Sequence, residues 1–311
     1  MRRLVAAFKF LLRCYRKSGD ESPHSKKMRY QEIQPGKLLA RFIECFWTLE
    51  GEPDPSGSAP ERILPDGCIE IILSFADPFT EIDERFDEKL QPSHFLVGQM
   101  TRPVIIKPTG SVRLIGIRFH PGGTLPFVTI PMDETTDQII ELGAIAADLE
   151  REFKAAADVN DSLHLKIVAI EQLLAKRLRS RSHDASIVDL TARIVRSAGR
   201  LSVDRLAADS GISTRQLRRR FLMEVGVGPK LLCRLLRFQQ VFRAVDQNVA
   251  EWAGIAFECG YYDQAHLIND FRQFAQQTPA VLLANSSALT EAFTRKNRVS
   301  DFSNPRNVAS V

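Results

Sequence analysis

The sequence lacks several patterns that would tie it to a familiar chemistry. It has no CxxC pair, and its five cysteines, Cys14, Cys45, Cys68, Cys233 and Cys259, are odd in number and widely spaced. That excludes a disulfide-stapled scaffold and a zinc ribbon, and it fits a reducing compartment. No close histidine pair with a following glutamate occurs, so His94, His120, Cys45 and Cys68 read as core or rim residues, not as a cupin-type metal site. No GK[ST] follows the PGG at 121–123, and a tight turn after a strand explains it better than a phosphate loop.

Charge of one sign and long hydrophobic runs are also scarce. With 42 Lys and Arg against 38 Asp and Glu, the net charge is only +4, a weak whole-chain pull toward a polyanion. Distribution has to decide. The opening MRRLVAAFKFLLRCYRK is the one stretch that resembles an export signal. Lys9 interrupts it, no small-residue cleavage site follows, and it is too short to span a bilayer. Residues 1–27 therefore read as a basic amphipathic extension, and the expected location is the cytoplasm. There is no low-complexity tract.

What is present suits two folded units: 311 residues, 44% hydrophobic and 26% charged, can bury real cores. Short β-like runs come first, ARFIECFWTL, CIEIILSF, HFLVGQM, PVIIKP and VRLIGIRF, punctuated by PSGS, LPDG, KPTGS and HPGG. In LIGIRF, Ile115, Ile117 and Phe119 alternate with small or polar residues, the pattern of a half-buried strand. From Asp133 the apolar period becomes helical in TTDQIIELGAIAADLEREF and SLHLKIVAIEQLLAKRL. The second of these suits a dimer seam as well as an intramolecular packing helix. Residues 28–180 thus form a β-rich, barrel-like domain closed by helices. RSRSHDAS, 179–186, reads as an exposed connection. An all-α domain over 184–285 and a polar tail over 286–311 complete an α+β chain.

The helical half contains an echo. LAADSGISTRQLRRRF and IAFECGYYDQAHLINDF each run from a short apolar helix through a glycine and a turn to a helix with Leu and Phe four apart. The glycines, Gly211 and Gly260, supply the positive φ that lets two helices meet sharply, and the pairs are Leu217 with Phe221 and Leu267 with Phe271. These are two helix-turn-helix units. Ser213 and Gln216 form a capping box that starts the second helix of the first unit at Ser213. At about 100° per residue, Leu217 and Phe221 then face the core, while Arg215 and Arg219 point away, flanked by Gln216 and Arg218. Arg220 lies nearer the core edge. Arg can bind guanine bidentately and Gln can pair with adenine, which is the chemistry the major groove asks for. Between Gly211 and Arg243 stand eight basic residues, Arg215, Arg218, Arg219, Arg220, Lys230, Arg234, Arg237 and Arg243, and one acid, Glu224. In the second unit Asp263 is the expected N-cap. Ala265 and Asn269 face outward with His266 and Ile268 beside them, and Asp270 is unfavourable near phosphate.

These residues resemble the AraC/XylS family of transcription regulators, through LSVDRLAADSGISTRQLRRRFLMEVGVGPKLLCRLLRFQQV and IAFECGYYDQAHLINDFRQFAQQTPAVLL. The resemblance implies about seven helices, with two recognition helices in successive major grooves. It places base-reading positions on Arg215, Gln216 and Arg219 and on Gln264, Ala265 and Asn269. Arg218, Arg220 and His266 are the flanking contacts. Asn269 stands where the family usually has a basic residue, and Gln277 replaces the glycine before the final TP. The first unit is therefore expected to supply most of the affinity. Pro65-Asp66-Gly67, Gly98-Gln99 and Phe119-His120-Pro121-Gly122-Gly123 resemble a subgroup of the sensor domains that precede this module. The implied partners are double-stranded DNA, a small-molecule effector, RNA polymerase and a second copy of the chain, with no cofactor, metal or membrane. Two rival classes remain open: a DNA-repair methyltransferase fused to the same module, which would need a reactive Cys68, and a ligand-binding module that does not read DNA.

Overall fold

The computed structural model describes residues 29–52, 60–158, 161–180, 186–246 and 252–284. The N-terminal extension with Cys14, residues 181–185 of the expected connection and the polar tail lie outside the described residues.

Among the described residues ten strands come first: β1 (Arg29–Ile33), β2 (Ile43–Gly51), β3 (Glu61–Ile63), β4 (Ile69–Ser74), β5 (Phe79–Ile82), β6 (Glu88–Leu90), β7 (His94–Val97), β8 (Val104–Pro108), β9 (Val112–Phe119) and β10 (Ile139–Glu141). They build two antiparallel sheets, ordered β1-β2-β9-β4-β7-β10 and β3-β8-β5-β6. Between the sheets lies an apolar layer that includes Trp47, Ile72, Phe79, Phe95, Ile106 and Leu114. On its other face the larger sheet is covered by α1 (Leu142–Ala157) and α2 (Leu163–Ser180), through Leu149, Phe153, Ile167, Ile170 and Leu174.

That double cover corrects the half-buried reading of β9. Leu114, Gly116 and Arg118, on the face opposite Ile115, Ile117 and Phe119, are buried as well. The small residue at 116 is there for Trp47, whose indole occupies the space a Cβ would need. The polar residue at 118 is buried because Glu70, its partner across the β4–β9 pair, accepts from Arg118 Nε at 2.6 Å. A second correction concerns the onset of helix. After a single 3-10 turn at Met132–Thr135, Ile139 and Ile140 pair with Val97 and Leu96 as an edge strand, and α-helix begins only at Leu142. Two adjacent β-branched residues suit that edge. The buried face of α2 packs inside its own chain, on α1 and the sheet.

Seven helices follow among the described residues: α3 (Ser186–Arg196), α4 (Val203–Asp209), α5 (Thr214–Val225), α6 (Pro229–Asp246), α7 (Trp252–Glu258), α8 (Gln264–Phe274) and α9 (Pro279–Ala284). Pro229 opens α6, at the helix position where a missing N–H costs nothing. Among the described residues, no helix is long and apolar enough to cross a membrane.

Candidate nucleic-acid interface

The first helix-turn-helix unit is α4, a turn through Gly211 at φ +65°, and α5. The α5 N-terminus carries the expected reciprocal cap. Ser213 Oγ accepts from Gln216 N at 3.2 Å, and Gln216 Oε1 accepts from Ser213 N at 2.9 Å. At the other end Gly226, left-handed at φ +90°, closes the helix by donating to the carbonyls of Phe221 and Leu222. With both ends set, the helix can rotate only as its apolar stripe allows, and Leu217, Phe221 and Val225 are wholly buried. Arg215, Gln216, Arg218 and Arg219 are consequently exposed on the far side. Arg220 is half-buried and spends its Nε on Glu224 Oε1 at 2.8 Å.

Gln216 lies on the outward face, but its Oε1 is occupied by the cap, including a 2.9 Å bond from Ser213 Oγ. Its Nε2 donor is what it can offer a base without uncapping the helix.

In the second unit, α7, Gly260 at φ +79° and α8, Asp263 caps α8 by accepting from His266 N at 2.7 Å. Gln264, Ala265 and Asn269 are exposed. His266 is half-buried and meets Tyr261 edge-on, with ring centroids 5.1 Å apart. Asp270, unfavourable on a DNA-facing surface, is not on one. It is 1% exposed and accepts from Arg234 Nε and Nη2 at 2.9 and 2.7 Å.

The basic stretch therefore divides. Arg234 is committed to Asp270, Arg220 to Glu224, and Arg237 donates to Gly199 O at 2.9 Å. Arg215, Arg218, Arg219 and Lys230 remain exposed. An acid on a helix expected to face DNA, Asp270, was the signal for the Arg234 pair, yet only the packing of α6 on α8 brings residues 36 positions apart together. That packing centres on Phe238, whose ring lies 5.1, 4.8 and 5.4 Å from those of Phe242, Phe271 and Phe274.

Behind the exposed face the β domain is docked, and it docks through the three motifs singled out above. Gly67 packs on Leu232 and Leu236, and Pro65 O accepts from Gln239 Nε2. Gln99, fully buried, donates Nε2 to Gly67 O at 2.8 Å and lies beside Gly226. Pro121 O accepts from Thr191 Oγ1 of α3 at 2.6 Å, and Gly122 faces Ile187 and Val225. Thr136 Oγ1 donates to Gly226 O at 2.7 Å, so the C-terminal cap of α5 is itself held by the β domain.

Among the described residues no group of three or more His, Cys, Asp or Glu side chains is placed to hold a metal. Burial, with Asp66 and Glu44 adding to it, pushes the Cys68 thiol well up, the opposite of what a nucleophilic thiolate requires.

Residues 206–285 match the model of a helix-turn-helix domain, and residues 31–141 match a domain of unknown function. No curated protein sequence matches the chain. Similar solved structures include an apo variant of ToxT from Vibrio cholerae strain SCE256, at 10% identity and TM-score 0.41, covering 77% of this chain and 97% of that one. Wild-type ToxT of the same strain, bound to an unsaturated fatty acid, shows 11% identity and TM-score 0.39 over 85% of this chain and 96% of that one. The AraC-like transcriptional activator CuxR shows 11% identity and TM-score 0.32, over 80% and 91%.

Proposed function

From the premise that the chain is a DNA-binding transcription regulator of the AraC/XylS family, we propose that its two helix-turn-helix units read adjacent major grooves, α5 supplying most of the affinity. Arg215 and Arg219 make bidentate contacts to guanine. Gln216 adds a single donor through Nε2, and Arg218 and Lys230 bind phosphate. Gln264, Ala265 and Asn269 form the reading surface of α8, while His266 supports its turn. The single observation that carries this reading is the α5 face. Arg215, Arg218 and Arg219 are exposed together on a helix capped at both ends, and none has an acidic partner among the described residues. The β domain, docked on the back of α5 and α6, controls that surface in response to a small molecule.

In vitro selection of DNA by the full-length protein tests the reading. On the selected site Arg219→Ala is expected to cost about 1–3 kcal/mol and to relax one base position. An equal loss on every sequence would make Arg219 a phosphate contact instead. Failure to enrich any sequence, with no salt-dependent affinity, would remove the proposal.

A further inference from the structure

The obvious place for a small molecule, the layer between the two sheets, is almost filled. The space there, against Phe79, Phe95 and Met100, is about 50 Å³, room for water but not for a metabolite. The larger space lies between the domains. It measures about 410 Å³, lined on the β-domain side by Glu44, Asp66 and Arg118 and on the other by α3 and α6. Ligand pockets favour such domain junctions and such sizes.

Its β-domain side contains a group in need of a partner. Arg118 is 1% exposed, and its Nε is satisfied by Glu70. Its Nη2, which finds no hydrogen-bond acceptor among the described residues, is 3.9 Å from the nearest ion-paired oxygen, Asp66 Oδ2. A buried guanidinium N–H without an acceptor is costly, so a ligand that offers an oxygen there is favoured.

Charge narrows the class. Arg41, Arg118, Arg196 and Arg243 line the space, against Glu44, Asp66 and Asp189, with Glu70 directly behind Arg118. Arginines and carboxylates balance, so a singly charged guest would leave one charge uncompensated in a partly closed site. On the β-domain side itself an acceptor-seeking guanidinium stands beside two carboxylates. We propose that this cavity binds a free α-amino acid, the carboxylate on Arg118 Nη2 and the ammonium on Glu44 and Asp66. The guest's side chain then extends toward Val195 and Leu236, between the PDG turn and the helices of the reading domain. Occupancy ties one domain to the other. The inference rests on the reading of the β domain as the control element.

The test is thermal denaturation of the full-length protein with each of the common α-amino acids at millimolar concentration. The matched N-acetyl and carboxamide forms serve as controls. A saturable rise of about 5 °C is expected for one or a few amino acids, absent with both blocked forms. Glu44→Gln is expected to weaken the response about tenfold while the unliganded Tm stays unchanged, because Glu44 is only half-buried. If no free amino acid shifts the wild-type Tm, or if blocked forms shift it equally, the proposal fails. DNA binding measured on the same preparation separates the two readings. Specific DNA binding with no amino-acid response overturns only this inference, whereas an amino-acid response without specific DNA binding overturns the function proposed above.

Discussion

Gln216 carries two duties that pull on one amide. Its oxygen caps α5 and its nitrogen faces outward, so alanine there would confound lost reading with lost capping. Gln216→Glu separates them. The carboxylate still accepts from Ser213 N, so the chemical denaturation midpoint should hold within about 0.5 kcal/mol, whereas Gln216→Ala should lose about 1 kcal/mol. Both should lose the same preference at one base position in a DNA selection, because both lack the Nε2 donor. Glu61, at the start of β3, poses a different residue-scale question. It is buried, its Oε2 finds no hydrogen-bond partner among the described residues, and burial pushes its carboxyl up to about 8. The unfolded carboxyl ionises near 4.5 and the folded one only near 8. Between those values the unfolded state is therefore the one that loses its proton, and stability falls as pH rises. Glu61→Gln should flatten that slope and stabilise the protein at pH 8 by on the order of 3 kcal/mol. Urea titrations at pH 5 and pH 8 would check this; identical slopes in both proteins would refute it.

Among the helices, the decisive contact is the one that turns a basic segment partly inward. Arg234 and Asp270 fasten α6 to α8, with Asp270 buried and Arg234 about one-third exposed. Removing the exposed partner strands a buried carboxylate, so Arg234→Ala should cost about 3–5 kcal/mol. Asp270→Ala leaves an arginine that can reach water and should cost about 1–2 kcal/mol. The order of the two, read by urea denaturation, is the prediction. In folded protein at low temperature, Arg234→Ala should leave the salt dependence of DNA affinity unchanged. Arg218→Ala should lower the slope of log affinity against log salt by about 1. Helical periodicity makes α5 and α8 legible in the sequence, since capping residues and a Leu–Phe stripe set both start and rotation. It says nothing of what an arginine meets off its own helix. Arg215 and Arg219 were readable for that reason, and Arg234 and Arg237 were not.

Across the whole molecule, one continuous apolar cluster runs from Ile117 and Met132 in the β domain to Phe221, Val225 and Leu232 in the reading domain. Two domains sharing a core should unfold together, so calorimetry of the full chain should give a single transition. Leu232→Ala, at the contact with Gly67, should cost about 2–5 kcal/mol and resolve the transition into two. The chain alone determined that there is a β-rich half and a helical half, that the latter repeats a helix–turn–helix pattern, and which face of α5 and of α8 is apolar. Those are consequences of local period, capping and turn chemistry, which act within a dozen residues. The PDG, GQ and PGG motifs were visible as turns, but nothing local distinguishes a turn that faces solvent from one that seats a neighbouring helix. Tertiary structure alone decided that all three lie on the seam, that Arg118 is buried against Glu70, and that a cavity opens beside it. Such contacts join residues as far apart as 48 positions for Arg118 and Glu70 and 174 for Gln239 and Pro65, and only the packed chain brings them within hydrogen-bonding distance.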